Sequence, residues 1–146
     1  MMNKTVLLIG AFVVLAILSG EGLIMDNRGK LSILQLYNLA KNAGFTGTDL
    51  IIAVAVALAE SGGDPLAYGD IDIPVQGSAS YGLWQINSHF HPEFGPDFEK
   101  LFDPVTNAYA AYVVYKQASN SFHPWSTFKN NAYAAFVDKI NTVLDA

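Results

Sequence analysis

The chain opens with an unbroken apolar run from Val6 to Leu18, preceded by a single cation, Lys4. As a helix that run rises roughly 20 Å, short of a hydrocarbon core of roughly 30 Å. Starting the helix near Met1 and letting Lys4 snorkel brings it close to spanning length. Residues 1–20 therefore read as a transmembrane anchor or a signal peptide. The anchor is the preferred reading, because Leu18-Ser19-Gly20 makes a poor cleavage site. Either way Lys4 stays in the cytoplasm and the rest is exported. The charged, glycine-bearing stretch 21–30 reads as a linker.

Beyond the linker the apolar positions recur at helical spacing. Ser32 is placed to cap a helix carrying Ile33, Leu34, Leu36, Tyr37 and Ala40 on its apolar positions, with Gly44 as the stop. Thr46-Gly47-Thr48-Asp49 has a capping-box pattern ahead of Leu50 to Ala59, a segment apolar all round and so expected inside the domain. Glycines and prolines crowd residues 61–80, which predicts a loop or small hairpin. Asp103-Pro104 opens a further helix. A final helix after Asn131 turns Tyr133, Phe136, Val137, Ile140 and Leu144 inward. The stripe Tyr109, Tyr112 and Tyr115 is expected in the core. The expected fold over 31–146 is mainly α: a helical domain around a central buried helix ending at Glu60, with one irregular excursion.

Composition narrows the function. The 146 residues leave room for one domain with a real core. A net charge of −5 with scattered basic residues argues against nucleic acid as a partner. There is no cysteine, hence no disulfide or thiolate chemistry.

The candidate chemistry begins where the central helix stops. Glu60 closes it, followed by Ser61, Gly62 and Gly63. Burial and the negative end of the helix dipole both disfavour a carboxylate there, so both raise its pKa toward that of a working general acid. The competing reading is a helix-end residue turned to water, with a glycine C-cap. Downstream, Tyr81-Gly82-Leu83-Trp84-Gln85-Ile86-Asn87 sets an aromatic and two amides beside a glycine. Such a surface suits sugars, whose ring faces stack on aromatics while hydroxyls meet amides. A core tryptophan is the alternative.

Taken together, "AESGG" and "YGLWQIN" resemble the paired signatures of the soluble lytic transglycosylase and goose-type lysozyme superfamily. The later "LFDPVTNAYAAY" and "FHPWSTFKNNAY" look most like compact lysozyme-like domains of bacteriophage tail and virion proteins. The resemblance runs from about Gly44 to Phe136. It implies a lysozyme-like (α+β) fold and cleavage of the bond between N-acetylmuramic acid and N-acetylglucosamine, without metal or other cofactor. Glu60 matches the catalytic acid and Ser61 the serine beside it. Tyr81, Gly82, Trp84, Gln85 and Asn87 fall on the cleft motif, with Trp84 in place of the usual methionine, and Trp125 on the far cleft wall. The family's tyrosine near the acid is replaced by Phe128, leaving Tyr133, Tyr115 or Tyr81 to supply a hydroxyl.

Two routes follow from the resemblance. A lytic transglycosylase works with one carboxylate, Glu60 acting as acid and then base and leaving a 1,6-anhydro end; this is the preferred reading. A hydrolytic lysozyme adds a loop aspartate that positions water, here Asp70 or Asp72, with Asp64 a third loop aspartate; the alternative for each is turn chemistry. A third reading is an inactive peptidoglycan-binding or virion structural module. The expected partners are glycan strands and, through the N-terminal helix, a membrane. The expected location is extracytoplasmic, anchored or virion-associated, or secreted after cleavage. His89 and His91, with Glu93 close by, lack the third ligand of a zinc motif, so no metal is expected. His123 is expected to pack or to line the cleft. Asp97, Glu99 and Lys100 are expected to form a solvated face.

Overall fold

The computed structural model describes residues 29–70 and 77–146. The anchor or signal expected over 1–20, most of the linker, and Asp72 lie outside those residues. Among the described residues no helix is long and apolar enough to cross a membrane.

Helix α1 (Ile33–Ala43) begins at Ser32 with a complete capping box. The Ser32 hydroxyl accepts from the Gln35 N–H at 3.2 Å, and the Gln35 side chain accepts from the Ser32 N–H at 2.8 Å. The box expected at Thr46–Asp49 does not form, although Thr46 does precede α2 (Gly47–Ser61). Asp49 is engaged elsewhere: the Tyr115 hydroxyl donates to its carboxylate from a distant helix. Burial, reinforced by Asp49, pushes the Tyr115 hydroxyl up to about 12. A tertiary bond has displaced a local one.

Helix α2 is the expected central rod. Leu50 and the run Ala53 to Ala57 are buried, and Gly62 ends the helix in the left-handed region at φ 64°. Helix α3 (Pro104–Gln117) starts where Asp103-Pro104 predicted, with the Asp103 carboxylate accepting from the Thr106 N–H and hydroxyl at 2.8 and 2.7 Å. Tyr115 is buried and Tyr112 packs edge-on against Phe45. Tyr109, expected in the same stripe, is 61 % exposed. Steps of three residues turn the helix about 300°, so such a stripe slips about 60° per step and carries Tyr109 off the core. The short α4 (Ser126–Lys129) and α5 (Ala134–Leu144) complete the helices, α5 burying Ile140 and half-burying Phe136, Val137 and Leu144 as expected. The molecule is mainly helical.

The excursion after α2 is a small antiparallel sheet in the order β1 (Tyr68–Gly69), β2 (Ser80–Tyr81), β3 (Ile86–Asn87). Tyr68 opposes Tyr81, and Ser80 opposes Asn87. The β2–β3 turn is Gly82 to Gln85, so the cleft-motif sequence is itself a hairpin. Asn107 of α3, fully buried, braces that turn. Its amide donates to the Tyr81 and Leu101 carbonyls, both at 2.8 Å, and its oxygen accepts from the Trp84 N–H at 2.8 Å. Gly82 permits this approach: at φ 73°, a Cβ there would lie 2.4 Å from the Leu101 oxygen and 2.5 Å from the Asn107 amide nitrogen.

Replacing Asn107 takes the partner from two buried backbone groups, the Trp84 N–H and the Leu101 carbonyl, and from the half-buried Tyr81 carbonyl, each buried one costing about 1–3 kcal/mol. Asn107→Ala is therefore expected to destabilise the fold by about 3 kcal/mol or more in urea titrations. Tyr109→Ala, on the exposed side of the same helix, is expected to stay within about 0.5 kcal/mol.

Candidate active site

Glu60 sits on the last turn of α2, half-buried rather than turned to open water. One carboxylate oxygen accepts from the Thr127 hydroxyl at 2.7 Å. Thr127 lies in the first turn of α4, where backbone N–H groups have no helical partner, and its own N–H also faces the acid. Burial raises the Glu60 carboxyl above its ordinary 4.5; the Thr127 hydroxyl and amide pull it partly back, and the charge of Asp70 adds to the rise. The net direction is upward, as a general acid requires.

The hydroxyl beside the acid comes from none of the tyrosines expected to supply it. Tyr115 is bonded to Asp49, Tyr133 is stacked on Phe128 at 4.9 Å, and Tyr81 is stacked on Phe98 at 5.8 Å. Phe128 also packs against Phe122 at 5.8 Å, which keeps its ring in an aromatic row and leaves the preceding residue, Thr127, facing Glu60. The signal was a hydroxyl residue one position before the missing tyrosine.

Several expected site residues have structural work instead. Trp84 is no sugar platform. It is 0 % exposed, and its indole N–H donates to the Ala53 carbonyl of α2 at 2.9 Å. The Ser61 hydroxyl donates back to the Ala57 carbonyl at 3.0 Å and accepts from the Gly63 N–H at 3.2 Å, so it finishes the helix. Gly82 is the close-approach point under Asn107, and Tyr81 belongs to an aromatic group with Tyr68, Phe98 and Phe102. Asp64 accepts from the Leu66 N–H at 2.8 Å, ordinary turn chemistry. His89 packs edge-on against Phe90, and His91 Nδ1 lies 3.4 Å from the Glu93 carboxylate.

The remaining residues do converge. Gln85, Asn87 and Trp125 line one pocket, and the Trp125 indole N–H donates to the Trp84 carbonyl at 2.8 Å. Gln85 holds a left-handed backbone, φ 48°, because its side chain donates to the Ala67 and Gly82 carbonyls at 3.1 and 3.0 Å. Asn87 donates at 3.1 Å to the Ser80 hydroxyl, which in turn donates to the Asp70 carboxylate. Asp70 is thereby oriented by the sheet and stands near enough to Glu60 for its charge to be felt there.

The upward shift at Glu60 carries a stability consequence. Between the unfolded pKa and the raised folded one, the native state binds more protons, so stability is full at low pH and declines as pH rises through that window. Glu60→Gln abolishes this titration while keeping an oxygen for Thr127. Thermal unfolding from pH 4 to 8 is expected to fall less steeply with pH in Glu60→Gln than in the unsubstituted chain.

A family model described as a lysozyme-like domain matches residues 37–127. No curated protein and no solved structure matches the chain. Because the matched stretch takes in Glu60, the Gly82–Gln85 turn and Thr127, and covers more than half of the chain, the protein belongs to the lysozyme-like domain family.

Proposed function

We propose that the protein is a lytic transglycosylase acting on the glycosidic bond between N-acetylmuramic acid and N-acetylglucosamine. Lysozyme-like domains are in general peptidoglycan-cleaving glycosidases, and the finer reading rests on one observation: a desolvated carboxyl, Glu60, held by the Thr127 hydroxyl. In this reading protonated Glu60 gives its proton to the glycosidic oxygen as the bond to the muramyl anomeric carbon breaks. The substrate's own N-acetyl group stabilises the positive charge that develops. The Glu60 carboxylate then takes the proton from the muramyl 6-hydroxyl, whose oxygen closes the 1,6-anhydro ring. One carboxylate serves both steps, and the Thr127 hydroxyl stabilises it while it is ionised. That hydroxyl also favours an enzyme over an inactive binding module.

Asp70 supports a second reading. It is oriented by Ser80 and stands within electrostatic reach of Glu60, as a water-positioning carboxylate of a hydrolytic lysozyme would. Extracytoplasmic action fits both readings, since the substrate lies outside the cytoplasm and the apolar run behind Lys4 supplies an anchor or export signal.

The full chain is expected to release muropeptides from purified peptidoglycan, and Glu60→Gln to be slower by at least about 100-fold. Mass spectrometry of the products separates the two readings: anhydro ends, lighter by one water, identify transglycosylation, and reducing ends with sensitivity to Asp70→Asn identify hydrolysis. Undiminished release by Glu60→Gln would remove the acid role.

Thr127 gives a sharper test. Its hydroxyl stabilises the ionised form of Glu60, so removing it raises the acid's pKa further. In Thr127→Val the alkaline limb of the kcat/KM profile is expected to move to higher pH. A limb that stays put or moves down contradicts the assignment.

A further inference from the structure

The α4 segment that carries Thr127 to Glu60 also walls, through Trp125 and Lys129, a cavity of about 360 Å³, large enough for a sugar-sized or amino-acid-sized group. Ile86 and Trp125 form its apolar floor and Asn87 offers an amide. Phe90, 69 % exposed, stands at the rim with His91 and Lys129. No acidic residue lines it, in a protein of net charge −5. Lys129 follows Trp125 by four residues around α4, which puts both on the pocket side, while Thr127 between them turns to Glu60. Among the described residues Lys129 makes no ion pair, whereas His91 is beside Glu93. The cavity therefore offers a cation to whatever enters it, on the same short helix that holds the acid's partner Thr127.

A neutral sugar offers that cation hydroxyls but no opposite charge. The anionic group of a peptidoglycan strand is carried on the lactyl arm of the muramyl residue, as the lactyl carboxylate itself or as carboxylates of the attached stem peptide. We propose that this pocket receives the carboxylate-bearing arm of a muramyl residue, with Lys129 as its charge partner. The inference rests on the glycan-cleaving reading above and adds to it a basis for choosing muramyl strands over uncharged chitin-like ones. Lys129 is a specificity residue here and takes no part in bond cleavage.

The test uses the full chain in mild detergent, carrying Glu60→Gln so that ligands stay intact. Three tetrasaccharides are titrated by calorimetry: peptide-bearing muramyl, amidase-treated muramyl and chitotetraose. Lys129→Met is expected to weaken muramyl binding about three- to fivefold, the scale of an exposed ion pair, and to leave chitotetraose unchanged. Lys129→Arg is expected to retain affinity. Loss confined to the amidase-treated ligand assigns the lactyl carboxylate, and loss on the peptide-bearing ligand assigns the stem. Equal loss on all three ligands, loss on none, or no muramyl binding by the Glu60→Gln parent overturns the proposal. Charge-selective binding in a wild-type chain that releases no muropeptides would instead sink the glycosidase reading and leave this one standing.

Discussion

One buried amide holds the architecture of the site in place. Asn107 answers two carbonyls and one N–H of the β2–β3 turn and its neighbour, leaving no polar atom of its own side chain unpaired. Fully satisfied buried networks of this kind are rigid, because any partial break leaves an unsolvated polar group. The turn then passes the constraint on. Trp84 donates to the middle of the central helix at Ala53, and its carbonyl receives the indole N–H of Trp125. Trp125 opens the short helix that carries Thr127 to Glu60. A helix, a hairpin, a second helix and the acid's partner are thus linked by single hydrogen bonds in series.

The acid is tuned by opposing influences rather than by one. Burial in the last turn of α2 and the charge of Asp70 favour the protonated form, and the Thr127 hydroxyl and amide favour the ionised one. In the proposed role, giving and then taking a proton, such opposition serves the acid: burial alone would make it reluctant to ionise, and the threonine alone would leave it with no proton to give near neutrality. The arrangement costs native stability as pH rises, the usual relation between a desolvated functional group and its scaffold.

Polar residues around the cleft divide into those that shape it and those that face it. Gln85 and Asn87 both bond backbone or neighbouring side chains, so that side of the pocket is pre-organised before any ligand arrives. Lys129 and the ring of Phe90 lie outside that internal network, at the pocket rim.

Local information in the chain was enough for α1, α2, α3 and α5, the Asp103-Pro104 start and the placing of Glu60 at the end of a buried rod, but not for the short α4 that carries Thr127. Those features depend on residues within a turn or two of each other, where periodicity and capping chemistry act. The paired motifs likewise carried the lysozyme-like resemblance. What needed the tertiary structure was every contact made across the chain. Asp49 left its capping box for Tyr115, sixty-six residues away, and Glu60 found its hydroxyl on Thr127, sixty-seven residues away. Trp84 went into the core because a carbonyl of α2 was there to receive its N–H, and Asn107, an amide on the inward face of α3, became the brace because Gly82 left room for it. Short-range spacing can place a side chain on a face of its own helix; only packing decides which distant group that face will meet.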